Sequence, residues 1–208
     1  MRAESSETRA GALRVGVLAL QGDVREHASL LERLGADVLR VRRPEELAHV
    51  DGLVIPGGES TTIDKLSRTF GLQEPIREAI RSGMPVLGTC AGLILLADRV
   101  LDSIDGQESF GGLDVDVRRN AFGGQRESFE AVLDVPLLDG DPVRAAFIRG
   151  PVIEQVGPGA TALAALDDGR VVAVEQGALL GLSFHPEISG EVRFHQRFLD
   201  WVRAHANG

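Results

Sequence analysis

The sequence predicts a three-layer α/β domain with an antiparallel extension, and two patterns lead to this fold class. In the first half of the chain, short apolar runs alternate with segments of helical periodicity, as in parallel strands joined by crossover helices. In the second half, strand-like runs follow one another closely, and Asp167-Asp168-Gly169 between two of them is a hairpin signal. The length of 208 residues suits one domain or at most two small ones.

The first half of the chain contains four predicted strands and three predicted helices. A short apolar run of buried-strand type opens at Arg14, and the next segment repeats apolar residues at helical spacing until Gly35 ends it. A Pro-Gly-Gly turn at 56–58 breaks the chain after the third strand, and Gly83 follows the second helix. The predicted strands span residues 14–20, 37–41, 52–55 and 85–88, and the predicted helices span 24–34, 72–81 and 91–100.

Strands dominate the second half, and a helix closes it. The segment 191–205 places Val192, Phe198 and Val202 on one face, which predicts an amphipathic helix. Residues 1–12 carry no apolar run and are predicted to form a disordered tail, while 13–208 are predicted to form one domain. The predicted strands span residues 115–117, 128–132, 145–148, 162–166, 171–174 and 179–184.

Composition and charge narrow the possible function classes. The formal net charge of −9 argues against a nucleic-acid partner, because phosphate contacts need a basic face. No apolar run approaches the roughly 20 residues of a membrane span, and no secretory signal is visible, so we expect a cytoplasmic protein without membrane contact. A single cysteine excludes an intramolecular disulfide and a cysteine-based zinc cluster. No phosphate-binding glycine motif occurs, so we predict neither a cofactor nor a metal.

The only cysteine, Cys90, lies where an apolar strand runs into a predicted helix. Gly88 and Gly92 flank it in a Gly-x-Cys-x-Gly pattern, which is the nucleophile-elbow pattern with cysteine in place of serine. A tight strand-to-helix turn pushes the side chain out of the sheet, and the helix N-terminus stabilises a thiolate. The alternative is a buried structural cysteine in an apolar segment. A base close to the thiol would decide between the two.

His185 is the histidine best placed to be that base. It ends an apolar strand and begins the sequence His185-Pro186-Glu187, in which residues i and i+2 of an extended chain face the same way. Glu187 could therefore orient the imidazole, as in a nucleophile–base–carboxylate triad. Taken alone, the tripeptide could equally be a turn that ends a strand. The other histidines are expected to be surface or packing residues: His27, His49, His195 and His205.

These motifs together resemble the class I, or triad, glutamine amidotransferases. Four further blocks narrow the resemblance to the glutaminase subunits of pyridoxal 5′-phosphate synthase, because they occur in that family's order from about residue 14 to residue 202. The resemblance implies a flavodoxin-like three-layer sandwich with a mixed, mostly parallel central sheet. The blocks are LQGDVREH at 20–27, PGGESTT at 56–62, RNAFG at 119–123 and FIR at 147–149.

The resemblance also implies a role for individual residues. The catalytic triad it implies consists of Cys90, His185 and Glu187. The glutamine-binding residues it implies are Gly58, Glu59, Ser60, Arg119, Ile148 and Arg149. The backbone N–H groups expected to form an oxyanion hole are those of Gly57, Gly58 and Ala91. Ser60 is in addition expected to cap a helix, and Gln21 to lie beside the site, in oxyanion formation or partner contact.

The implied activity is the hydrolysis of L-glutamine to L-glutamate and ammonia through a glutamyl thioester. The implied partner is the synthase subunit that receives the ammonia, in a hetero-oligomer for vitamin B6 biosynthesis. One alternative is a glutaminase for another pathway, against which the Gly-Gly-Glu-Ser-Thr-Thr loop argues. Another is a non-catalytic, redox-sensing or interaction protein on the same fold. A redox sensor has no need of an oriented base, so the His-Pro-Glu element argues against it.

Overall fold

The computed structural model describes residues 13–119 and 128–206 of the chain, so the predicted tail and residues 120–127 lie outside the described residues. The strands are β1 Arg14–Leu18, β2 Asp37–Val41, β3 Gly52–Ile55, β4 Val86–Thr89, β5 Ala97–Val100, β6 Leu113–Arg118, β7 Ser128–Leu133, β8 Val143–Ile148, β9 Val152–Val156, β10 Thr161–Ala165, β11 Val171–Gln176 and β12 Leu179–Leu182. The helices are α1 Val24–Arg33, α2 Pro44–Leu47, α3 Ser60–Thr69, α4 Gln73–Arg81, α5 Ala91–Leu96, α6 Pro186–Ser189 and α7 Arg193–Ala206.

The central sheet has the order β2-β1-β3-β4-β12-β11-β9-β6-β5, with β10 paired to β11 outside this path. The first five strands in this order, β2, β1, β3, β4 and β12, run parallel to one another, and β5 pairs in parallel with β6. The pairs β6–β9, β9–β11, β10–β11 and β11–β12 are antiparallel. The antiparallel pair β7–β8 forms a separate small sheet. The prediction of a mixed, mostly parallel sheet with an antiparallel extension is therefore confirmed.

Helices cover both faces of the sheet, because the side chains of each strand alternate between the faces. In β3, Leu53 and Ile55 pack into the apolar cluster that contains residues of α3, α4 and α5, while Val54 packs into the cluster that contains residues of α1 and α7. The β7–β8 pair contributes to the second cluster, where Phe147 is 1% exposed. The three-layer prediction is confirmed.

One predicted helix is shorter in the structure, and several elements were not predicted as such. The helix expected over 91–100 ends at Leu96, because the next four residues pair as β5 with β6 and Arg99 forms ion pairs with Asp114 and Asp116 on that strand. The elements α2, β5, β9 and α6 were not predicted, and α3 was expected only through the capping role given to Ser60. The hairpin expected at 167–169 does connect β10 to β11, with the Leu166 N–H donating to the Arg170 carbonyl.

The carboxyl ends of β1, β3, β4 and β12 lie along one edge of the sheet, as their parallel pairing requires. The segments that follow these four strands contain all the motifs of the first 92 residues together with the His-Pro-Glu element. Within the described part of the chain, no helix combines the length and apolar character needed to cross a membrane.

Candidate active site

Cys90 occupies the tight turn between β4 and α5. Its backbone has φ 49° and ψ −102°, a conformation that non-glycine residues adopt only when the surrounding structure enforces it. A Cβ atom at Gly88 would lie 2.7 Å from the Gly92 carbonyl, and one at Gly92 would lie 2.1 Å from the Ile55 carbonyl oxygen. Both flanking positions therefore need glycine, and the structure contains the elbow geometry that the sequence predicts.

His185 and Glu187 lie together at the end of β12. The Nδ1 atom of His185 is 2.8 Å from Oε1 of Glu187, and both residues are buried. The backbone N–H of His185 donates to the carbonyl of Ala146 at 2.9 Å, and this hydrogen bond holds the turn against β8. The remaining ring nitrogen, Nε2, makes no hydrogen bond to a described residue, and His185 interacts electrostatically with Cys90. The thiol also lies 3.9 Å from the Ile148 carbonyl oxygen.

Electrostatics favour an ionised histidine–glutamate pair. Burial disfavours the charged imidazole, but the neighbouring Asp23, Cys90 and Glu187 groups raise the pKa of His185 to about 12. Burial also disfavours the Glu187 carboxylate, yet its interactions with His27 and the hydrogen bond from His185 hold its pKa below the ordinary range. The site therefore contains an imidazolium that is oriented by a carboxylate and positioned next to a thiol.

Asp23 is a member of this site that the sequence did not reveal. Its Oδ2 atom is 3.3 Å from Nδ1 of His185, and its N–H donates to the Gly57 carbonyl at 3.1 Å. Ligand atoms of Asp23, His185 and Glu187 lie within 4.8 Å of one another, a spacing that could hold a metal ion. An imidazolium Nδ1–H donates to these carboxylates and cannot ligate a metal, so the arrangement fits proton chemistry. The signal for Asp23 is its position in the Gln-Gly-Asp turn after β1.

The loop between β3 and α3 borders the site. The Glu59 N–H donates to Oε1 of Gln21 at 2.7 Å, so Gln21 lies beside the site, as the sequence predicts. Gly58 has φ 154°, and a Cβ there would lie 2.5 Å from the same Gln21 oxygen. A Cβ at Gly57 would lie 2.4 Å from Cε1 of His185. The Gly57-Gly58 backbone thus approaches both the imidazole and Gln21 more closely than larger residues would allow.

The expectation that Ser60 caps α3 is wrong. Glu59, with an extended backbone at φ −100° and ψ 107°, occupies the cap position, and Ser60 is the first residue of the helix. The Ser60 hydroxyl is instead buried and lies 3.2 Å from the Gln107 amide nitrogen, which donates to it. This contact places Ser60 in a polar network behind the loop.

Arg119 belongs to the same network. Its guanidinium donates to Oε1 of Glu59 at 3.3 Å and to Oε1 of Gln107 at 2.7 Å, and the side chain is 11% exposed. Arg119, which directly follows β6, therefore contacts the Glu59 loop although the two residues are 60 positions apart in the sequence. The other residues of the RNAFG block, 120–123, lie outside the described part of the chain.

A cavity of about 220 Å³ is lined both by Cys90 and His185 and by the loop residues Gly58 and Glu59. Six of the predicted site residues are among its lining residues, whereas Glu187 supports His185 from behind, and Ser60 and Arg119 reach the cavity through their polar network. Arg149 has φ 49°, the second non-glycine residue with positive φ in the described structure. The lining residues are Gln21, Asp23, Gly58, Glu59, Cys90, Ile148, Arg149 and His185.

Two histidines assigned by sequence to the surface or to packing are fully buried and polar in their contacts. His27 and His195 are both 0% exposed, and Nδ1 of His27 lies 2.9 Å from Nε2 of His195. Their helical periodicity alone gave no sign of this hydrogen bond, because it joins α1 to α7 across 168 positions. The surface alternative is therefore wrong for these two, while His49 and His205 are exposed as expected.

An elbow cysteine beside a histidine–carboxylate pair, at the carboxyl ends of parallel strands, is the arrangement typical of triad hydrolases of the cysteine type. The chain belongs to the SNO glutamine amidotransferase family, whose model matches residues 17–204. It is 65% identical over 188 residues to a protein of Clavibacter sepedonicus, covering 90% of each chain, and 64% identical over 196 residues to one of Leifsonia xyli, covering 94% of this chain and 98% of the other. Both relatives bear the name pyridoxal 5′-phosphate synthase subunit PdxT.

A solved structure agrees with this family membership. It is described as a glutamine amidotransferase, is 44% identical to this chain and superposes with a TM-score of 0.84. The match covers 90% of this chain and 98% of that one. The class I glutamine amidotransferase fold expected from the sequence is thereby confirmed.

Proposed function

We propose that this protein hydrolyses L-glutamine to L-glutamate and ammonia and supplies the ammonia to the synthase subunit of pyridoxal 5′-phosphate synthase. The observation that carries the proposal is the meeting of Cys90, His185 and Glu187 at one edge of the sheet, with Cys90 and His185 exposed to a common cavity. Family membership supplies the amide substrate, and the two named relatives supply the pathway.

In the proposed first half-reaction, the Cys90 thiolate attacks the side-chain amide carbon of glutamine. The carbonyl π electrons move to oxygen, and the oxyanion is stabilised by backbone N–H groups, for which Ala91 and the Gly57-Gly58 turn are the candidates. The Glu59 N–H is engaged by Gln21 and is not counted among these donors. When the C–N bond breaks, the His185 imidazolium gives its Nε2 proton to the leaving nitrogen, and ammonia departs.

The second half-reaction releases glutamate. The now neutral His185 removes a proton from water, which attacks the thioester carbonyl of the glutamyl-cysteine. Collapse of this second tetrahedral intermediate breaks the C–S bond and restores the thiolate beside the imidazolium. Throughout both steps, Glu187 holds the Nδ1–H of His185 and so keeps Nε2 directed toward the reacting atoms.

Recognition of the amino-acid end of glutamine follows from the charges at the other side of the cavity. The Glu59 carboxylate is 55% exposed and suits the α-ammonium group of the substrate. Arg149, which lines the cavity, suits the α-carboxylate, with Gly58, Ser60, Arg119 and Ile148 shaping the loops around it. A substrate without both groups, such as a simple amide, would gain neither of these charge-assisted contacts.

The test of the proposed function is a measurement of glutamate release by the wild-type chain and by Cys90→Ala, each with and without a synthase subunit. We expect the wild type to release glutamate faster when the synthase is present. We expect Cys90→Ala to lose at least about 10³-fold in rate, because the nucleophile is missing. Unchanged turnover in Cys90→Ala would overturn the nucleophile assignment. Failure of any synthase to accelerate the wild type would overturn the pathway assignment. A cytoplasmic location stays a prediction.

A further inference from the structure

A second imidazole contacts the same oxygen of Glu187 that orients His185. The Nε2 atom of His27 lies 3.4 Å from Oε1 of Glu187, and that oxygen is also 2.8 Å from Nδ1 of His185. The same Nε2 atom is 3.1 Å from the hydroxyl of Thr89, the residue before Cys90. The side chains of His27 and Glu187 and the whole of Thr89 are 0% exposed. His27 therefore touches both the carboxylate of the triad and the strand that carries the nucleophile.

The hydrogen bonds of His195 define where the proton of His27 lies. Burial and the neighbouring His27 lower the pKa of His195 to about 3, although Glu187 opposes this shift, so His195 is a neutral imidazole with one N–H. Its Nδ1 has no hydrogen-bond partner among the described residues, whereas its Nε2 faces Nδ1 of His27 at 2.9 Å. A buried N–H without an acceptor is costly, so the proton of His195 lies on Nε2. Nδ1 of His27 then accepts, and the His27 proton lies on Nε2.

This assignment gives Glu187 a second donor. With its proton on Nε2, His27 points an N–H at Oε1 of Glu187 and at the Thr89 hydroxyl. The opposite tautomer would leave a buried N–H of His195 unpaired and would direct a lone pair at a carboxylate. Oε2 of Glu187 has no partner in the described structure, so its orientation depends on the two imidazoles that meet at Oε1.

We propose that His27 is a positioning residue for the glutaminase reaction, which acts through Glu187 by fixing it as an ionised, correctly oriented carboxylate. The proposal rests on the triad role given to Glu187 above. His27 touches neither the cavity nor the substrate, and its effect reaches Cys90 through Glu187 and His185.

The surrounding groups are compatible with this role. Glu187 is faced by His185 and His27, and His27 by His195 of α7, Thr89 of β4 and Glu187. Among the described residues, Asp23 and Cys90 are the other charged or titratable groups at His185.

A matched pair of variants separates positioning from mere packing. In His27→Gln the side-chain amide can occupy the place of the imidazole Nε2 and donate to Glu187. In His27→Asn the amide reaches only the place of Nδ1, so the contact to His195 is kept and the donor to Glu187 is lost. The two variants differ by one methylene group. Both are compared with wild type and with Glu187→Gln for glutamate release in the presence of the synthase subunit.

We expect His27→Asn to lower kcat by about 10- to 100-fold with little change in KM, because a hydrogen bond to a buried charge is lost. The acid limb of its pH–rate profile should move to higher pH, since Glu187 without its donor takes up a proton more readily. His27→Gln should recover most of the rate and the wild-type acid limb. Equal kcat values and equal pH profiles for His27→Asn and the wild type would overturn the positioning role.

The Glu187→Gln reference separates this proposal from the proposed function. If Glu187→Gln reduces kcat while His27→Asn does not, only the positioning role of His27 is wrong. If Glu187→Gln has wild-type activity, the triad is wrong and the role of His27 falls with it. Nitrogen NMR of the histidine side chains provides a second test, which uses only the wild-type protein and does not depend on whether a variant folds. We expect His27 to carry its proton on Nε2, and a protonated Nδ1 with a bare Nε2 would overturn the proposal.

Discussion

The two sides of the active-site cavity differ in burial and in the kind of partner that their charged groups have. On the catalytic side, Glu187 and His185 are nearly inaccessible and contact each other at 2.8 Å. On the recognition side, Glu59 is 55% exposed and contacts Arg119 at 3.3 Å. A buried ionic contact cannot be replaced by water, whereas an exposed one exchanges easily. In the proposed reaction, the reacting groups therefore have fixed partners, whereas the proposed recognition groups have partners that glutamine can replace.

The largest effect expected from this comparison is on the catalytic side. We predict that Glu187→Gln lowers kcat by about 10²- to 10⁴-fold, because the imidazole loses the carboxylate that sets its tautomer and stabilises its charge. Steady-state glutamate release measures the change. The thermal midpoint of the variant serves as the control for folding. A kcat within threefold of the wild type would show that the buried pair has no catalytic role.

A smaller effect, on a different constant, is expected on the recognition side. We predict that Glu59→Gln raises KM for glutamine by about 10- to 100-fold through the loss of a charge-assisted hydrogen bond, with kcat changed far less. Initial rates over a range of glutamine concentrations separate the two constants. If Glu59→Gln instead reduced kcat and left KM unchanged, the division between a catalytic side and a recognition side would be wrong.

Asp23 has one property of each side of the cavity: it contacts the imidazole of His185, and its side chain is partly exposed to solvent. Its carboxylate is 36% exposed and lies 3.3 Å from Nδ1 of His185, against 0% and 2.8 Å for Glu187. We predict that Asp23→Asn lowers kcat by less than about tenfold, since exposed charges interact weakly. The same assay as for Glu187→Gln measures the ratio of the two effects. A larger loss for Asp23→Asn would make Asp23 the principal orienting carboxylate.

The smallest predicted effect is on stability as a function of pH. The pKa of His185 is raised from 6.5 to about 12, so its contribution is fully present below pH 6.5 and is lost as the pH rises toward 12. The lowered pKa of Glu187 gives a contribution that is present above pH 4.5 and is lost only in acid. We predict that the thermal midpoint falls further for wild type than for His185→Asn between pH 7 and 10, by about 2–4 °C for each kcal/mol of this contribution that is lost. If the thermal midpoints of the wild type and of His185→Asn change equally with pH, the coupling between His185 protonation and stability is wrong.

Local sequence signals predicted the parts of the site that lie within one turn of the chain. The Gly-x-Cys-x-Gly pattern determines the elbow because Gly92 packs against the Ile55 carbonyl oxygen, a contact that no side chain could allow. The His-Pro-Glu spacing placed Glu187 against His185 for the same local reason. The parallel sheet was predictable because buried strands and amphipathic helices alternate along the first half of the chain.

Contacts between distant segments could not be predicted in the same way. Asp23 reaches His185 only because β1 and β12 end at the same edge of the sheet, and Arg119 reaches Glu59 across 60 positions. The helical spacing of His27 and His195 is equally consistent with an exposed face and with a buried hydrogen bond. Strand β5 was read as helix because its apolar start continues the pattern of α5, while its pairing with β6 depends on residues far along the chain.

In the proposed reaction, Cys90 becomes covalently acylated by glutamine while His185 and Glu187 support the reaction. The most direct measurement is mass spectrometry of the acid-quenched protein during turnover, with peptide mapping of the modified residue. We predict a glutamyl adduct on Cys90 in the wild type, no adduct in Cys90→Ala, and slower formation of the adduct in His185→Asn. An adduct on another residue, or formation of the Cys90 adduct at the wild-type rate in His185→Asn, would contradict the proposed mechanism.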